Sequence, residues 1–106
     1  MPKYLWQASY TSEGAKGVMK EGGTGRQAAV EKLAGSLGGK VEAFYYAFGE
    51  NDVYVIADAP SNADAAAISL AVSAAGAVNI KTTVLLTPAE MDEAAKRSVD
   101  YRPPGA

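Results

Sequence analysis

The chain has 106 residues, with 10 Lys+Arg against 12 Asp+Glu and a net charge of −2. That is one domain's worth of material, and it lacks the clustered positive charge that nonspecific nucleic-acid binding requires. Cysteine and histidine are both absent, which excludes disulfides, thiolate nucleophiles, cysteine-held zinc or iron–sulfur centres, histidine-dependent triads and the usual haem ligand.

Chemistry is left to Asp, Glu, Lys, Tyr or a bound cofactor. Carboxylates leave a hard-cation site open, but no DxDxDG-like loop is present, and neither a resident metal nor a resident cofactor is expected. The N-terminal segment lacks the apolar core of a signal peptide, and no apolar run approaches the roughly 18 residues of a membrane span. No membrane partner is expected, and the default location is cytoplasmic. A chain this short buries only about two-thirds of its unfolded surface, so oligomerisation would add needed stability.

Tyr4 to Tyr10, rich in aromatics, reads as a first strand. Thr11-Ser12-Glu13-Gly14 breaks it, and Ala15 to Glu21 suits one or two helical turns. Gly22-Gly23-Thr24-Gly25 interrupts again. Thr24 and Gln27 then form a capping-box pair ahead of Val30, Leu33, Ala34 and Leu37, which predicts an amphipathic helix over Gly25 to Leu37, stopped by Gly38-Gly39.

Two β-like runs follow, Lys40 to Phe48 and Asp52 to Asp58, joined by Gly49-Glu50-Asn51 as a hairpin turn. If Gly49 pairs with Asp52, then Phe44, Tyr46 and Phe48 share a face with Val53, Val55 and Ala57. Ala43, Tyr45 and Ala47 share the other face with Tyr54 and Ile56. Neither face is polar, so both are expected to be covered. Ser61 and Asp64 cap an Ala-rich helix over about Asn62 to Ala75, ended by Gly76, with Ala65, Ile68, Val72 and Ala75 on its inner stripe. Val78 to Leu86 reads as a fourth strand. Thr87, Pro88 and Glu90 open a third helix, running to about Ser98, and the tail from Tyr101 is extended and Pro-rich.

The order β-α-β-β-α-β, with an added C-terminal helix, is the split βαβ of a ferredoxin-like α+β sandwich occupying residues 1–99, with 100–106 as a tail. Helices cover one face of such a sheet. The apolar residues on the other face call for a partner, and a second copy of the chain is the simplest cover, giving a homodimer or higher homo-oligomer.

The segment from Phe44 to Pro60, with Thr11-Ser12-Glu13-Gly14 and Thr82 to Thr87, resembles the GYD family from residue 4 to about 90. The family's Gly-x-Tyr-Asp turn is met by Gly49 and Asp52. Asn51 stands where the family has its tyrosine, so no role of that tyrosine carries over. The family's Pro-Asp after the second hairpin strand is Pro60-Ser61 here. The resemblance implies a dimeric α+β barrel. Relatives in that superfamily include cofactor-free monooxygenases, lactone isomerases, haem-handling enzymes and simple binders, so the likeness does not fix a reaction.

Asp52 is the candidate catalytic carboxylate, against its plainer use in fixing the turn through backbone N–H groups. Among the aromatics Trp6, Tyr10, Tyr45, Tyr46 and Tyr54, the residues Trp6, Tyr10 and Tyr46 are the candidate walls of a pocket for a small apolar or aromatic ligand, against ordinary packing. Gln7 and Ser9, on the other face of the first strand, are candidate polar contacts if that face is buried. Lys81 is a weaker one, better read as a snorkelling or edge lysine. Gly22-Gly23-Thr24-Gly25-Arg26 has the composition of an anion cradle but lacks a P-loop's ending, and a flexible linker explains it more simply.

Two functions follow. One is a small-molecule binder or cofactor-independent enzyme with a pocket between sheet and helices. The other is a non-catalytic assembly module. A closed cavity below about 100 Å³ would speak against an enzyme, because ligand sites usually run to about 300 Å³ or more.

Overall fold

Alternation along Lys3–Tyr10 sets the architecture. In the computed structural model, which describes residues 1–106, this segment is strand β1, and its buried residues Tyr4, Trp6 and Ala8 alternate with partly exposed ones. It is followed by α1 (Ser12–Glu21), α2 (Gly23–Ser36), β2 (Lys40–Tyr46), β3 (Val53–Asp58), α3 (Asn62–Ala75), β4 (Val78–Leu85) and α4 (Pro88–Ala95). The four strands form one antiparallel sheet in the order β2-β3-β1-β4. This is the ferredoxin-like α+β arrangement expected from the element order. No helix is long and apolar enough to cross a membrane.

The core lies between the sheet and α3. Val53, Val55 and Ala57 of β3 join Tyr4, Trp6 and Ala8, and meet Ala65 and Ile68 of α3. Two aromatic side chains also fasten α3 through their polar ends. The Tyr4 hydroxyl donates to Asn62 Oδ1 at 2.5 Å, and Trp6 Nε1 donates to Ser69 Oγ at 3.3 Å. Both groups are thereby satisfied inside the fold. Ser61 caps α3 by accepting from the Asp64 amide, and Gly76 ends it in the left-handed conformation, as expected.

The N-terminal helices differ from expectation. Helix α1 begins at Ser12, capped by Thr11, whose Oγ1 accepts from the Gly14 amide at 3.2 Å. Thr24 caps nothing, and Gly22-Gly23-Thr24-Gly25 is not a linker: α2 starts at Gly23. The reason is Gly22, at φ +86°, where only a residue without a Cβ turns freely. Its N–H closes α1 on the Val18 carbonyl at 2.8 Å, and its own carbonyl accepts from Arg26 at 3.1 Å to open α2. One residue ends one helix and starts the next, which removes any need for a side-chain cap.

The hairpin keeps its expected faces but not its expected pairing. Tyr46 lies opposite Val53, and the Ala47 amide donates to the Asp52 carbonyl at 2.8 Å, so Phe48-Gly49-Glu50-Asn51 forms the loop. A two-residue shift preserves which side chains share a face. It also takes Phe48 out of the inner face, and Phe48 is fully exposed. Further along the hairpin, a bulge at Glu42 breaks the pairing between Val41 and Ala43.

The far face of the sheet, carrying Leu5, Gln7, Ser9, Tyr45, Tyr54 and Ile56, has no cover from this chain, and Tyr45 is 72% exposed. Strand β4 ends one residue early, at Leu85, and α4 ends at Ala95 rather than near Ser98. Every residue from Pro88 to Ala106 is exposed. This arm lifts the radius of gyration to 16.8 Å, against about 13 Å for a compact domain of this length.

Candidate functional site: two chambers between sheet and helices

Two adjoining spaces lie on the helix side of the sheet. The inner one, about 70 Å³, is walled by 15 hydrophobic residues and a single charged one, Arg26. Trp6, Phe44 and Val55 form its sheet side and Ile68 its α3 side. The outer one, about 340 Å³, lies between α1, α2 and α3, with Glu13, Gly17 and Glu21 on its α1 side and Ala71 on its α3 side. Tyr10, Arg26, Leu33, Val72 and Val78 line both spaces and so form their common wall.

The inner cavity alone falls below the size of a metabolite site. The outer chamber reaches the usual range of about 300–1,000 Å³. Small residues create it: a Cβ at Gly17 would meet nothing within 4 Å, and Ala71 and Ala75 keep the α3 wall low.

Of the residues singled out from sequence, Trp6 and Tyr10 come together in the inner wall. Tyr46 does not line either space; its hydroxyl donates to the Gly23 carbonyl at 2.9 Å and ties the edge strand to the start of α2. Gln7 and Ser9 stand on the opposite face of the sheet, away from both chambers, and Lys81 is exposed there with a loose contact to Glu50 at 3.8 Å.

Asp52 also lies outside both spaces. Its Oδ2 accepts from the Tyr10 amide at 2.8 Å, and its own amide donates to the Ala8 carbonyl at 2.8 Å. The carboxylate thus fastens the hairpin loop to the end of β1. No group of three or more acidic side chains converges as metal ligands would.

Arg26 is the residue whose direction sequence reasoning missed. The signal was present: positions 26, 30 and 33 follow the i, i+4, i+7 spacing of the buried stripe, so the guanidinium shares the face of Val30 and Leu33. Its one ionic contact is with Glu21, at 3.8 Å and partly exposed; such a pair contributes little.

Tyr10 beside it is half-buried. Burial pushes its phenol above the ordinary value, Tyr46 adds to the rise, and Arg26 opposes it. Tyr10 is therefore protonated at neutral pH, where it serves as a hydrogen-bond donor and not as a base.

Comparison with protein families matches residues 4–95 to the GYD domain. No curated protein and no solved structure matches the chain. The matched span covers every element from β1 to α4, and the chain belongs to the GYD domain family.

Proposed function

We propose that this protein binds a small, flat, largely apolar molecule in the two-chamber cavity. The observation that carries the reading is the outer chamber of about 340 Å³ sharing a wall with an inner space lined almost wholly by apolar side chains. Binding is favoured over catalysis by the groups present. Tyr10 holds its proton, and the Asp52 carboxylate, which lines neither chamber, is engaged by the Tyr10 amide. Any reaction by these side chains alone would have to draw its reactivity from the substrate.

Trp6 is the sole tryptophan and is 5% exposed in the cavity wall, so it reports occupancy directly. Titration with N-phenyl-1-naphthylamine, a neutral fluorophore, is expected to raise probe emission while quenching Trp6 by energy transfer. Gly17→Leu fills the outer chamber from an unstrained helical position and should weaken the probe by about tenfold or more, by displaced volume. Asp52→Asn should leave it unchanged. Absence of probe binding to the wild type, or equal binding by Gly17→Leu, would remove the reading.

A second reading is favoured by independent observations: the chain self-associates, at least as a dimer, through the open sheet face. Only 11 of 106 residues are buried, a thin core for an isolated domain. Tyr45 and Tyr54 are exposed beside the half-buried Leu5 and Ile56, and the Pro88–Ala106 arm exposes Met91, Val99 and Tyr101. Sedimentation velocity should find a dimer or larger species, and Ile56→Lys, which places a charge at the middle of that face, should shift it toward monomer. A wild-type monomer at tens of micromolar would dismiss this reading without touching the cavity.

A further inference from the structure

Resting on the ligand-binding reading, we infer that the ligand is a monoanion: a flat apolar body bearing one carboxylate or an equivalent acid group, which Arg26 receives at the wall between the two chambers. Arg26 is the only charged residue of the inner space and lines the outer one as well. Its guanidinium has five N–H donors in a planar fork suited to a carboxylate. Within the chain the guanidinium faces the Tyr10 hydroxyl and Glu21, and the Glu21 contact, at 3.8 Å, is ionic and loose.

The half-buried Tyr10 hydroxyl shares that wall, beside Arg26 and Tyr46, and supplies a second donor. A cation placed on an otherwise apolar stripe is costly unless something meets it. Arg26 shares the lining of the inner space with Val30 and Leu33, and its side chain stays one-third exposed, open to an acid group.

The acidic residues of the outer chamber narrow the class further. Glu13 and Glu21 stand on the α1 side of the outer space. Together they repel a second negative charge outside the Arg26 position, which disfavours dianions and phosphate esters. The apolar body then lies along the shared wall of Leu33, Val72 and Val78, filling the outer chamber and reaching into the inner space.

The matched pair 1-naphthoate and 1-naphthalenemethanol tests this by isothermal titration, since the two share a ring system and differ in charge. Wild type should bind the acid about tenfold more tightly, the gain typical of one charge-assisted contact. Arg26→Met keeps the apolar stem and should abolish the preference, weakening the acid far more than the alcohol. Arg26→Lys should restore part of it.

Equal binding of acid and alcohol by wild type would overturn the ligand class and leave the cavity as a neutral binding site. A preference that survives in Arg26→Met would overturn the role of Arg26. Failure of both compounds to bind, with N-phenyl-1-naphthylamine also silent, would overturn this inference together with the binding reading beneath it.

Discussion

Replacing Gly14 with alanine is expected to destabilise the protein by about 3 kcal/mol, the upper range for overpacking a tight site. Gly14 is the one buried residue of α1, and a Cβ built on it would overlap the carbonyl oxygen of Ala77. That oxygen cannot retreat cheaply. It already accepts the Thr11 amide at 3.0 Å and the Thr11 hydroxyl at 3.2 Å, contacts that join the start of α1 to the entry of β4. The methyl group must therefore push apart the two segments those bonds hold together.

Gly17, one turn later, is the control. Its Cβ would enter open space, so Gly17→Ala should stabilise by about 0.5–1 kcal/mol through helix propensity alone. Urea denaturation followed at Trp6 reads both. Two changes of the same sign would refute the close-approach account.

Trp6→Ala should cost about 3–5 kcal/mol, the range for deleting a buried tryptophan. In a domain whose whole stability is of order 5–15 kcal/mol, that leaves little in reserve. Trp6 lies on a central strand between β3 and β4, packs near Tyr4 with ring centroids 5.8 Å apart, and donates to Ser69. Truncation joins the vacated volume to the inner cavity and frees a fastening of α3. Trp6→Phe keeps much of the ring and should cost clearly less. The variants lack the fluorophore, so far-UV circular dichroism must follow the melt. A loss below about 1 kcal/mol in Trp6→Ala would mean the core does not depend on this side chain.

The sheet was readable because its signals are local. Tyr4, Trp6 and Ala8 alternate, Ser61 with Asp64 and Thr87 with Glu90 sit at capping distance, and the structure carries the caps at both places. What escaped were contacts made at long range. Gly14 looks like part of the break after the first strand until Ala77 is brought against it. Thr24 looks like a cap until Gly22 joins two helices without one. The hairpin register slipped by two because the turn is held by Asp52 reaching β1, a bond no local rule foresees.

The site divides the same way. Trp6 and Tyr10 follow from strand periodicity, while Gln7 and Ser9 were separated from them by that same period. Tyr46 looked like pocket lining and serves as a tie to Gly23. Arg26 was hidden by the glycines before it, which drew attention to the loop and away from the stripe.

The exposed α4 has its own consequence. It is eight residues long and buries none of them, and isolated helices shorter than about 12–15 residues are marginal in water. The capping box of Thr87 and Glu90 organises its first turn, with amide-to-side-chain bonds of 3.0 and 3.1 Å, but nothing couples the rest to the sheet. Its amides therefore open and close independently of the domain, as a separate unit of low local stability. Whatever surface α4 rests on would set how long it stays wound, so slowed amide exchange in this segment is a direct sign that the arm has found something to lie against.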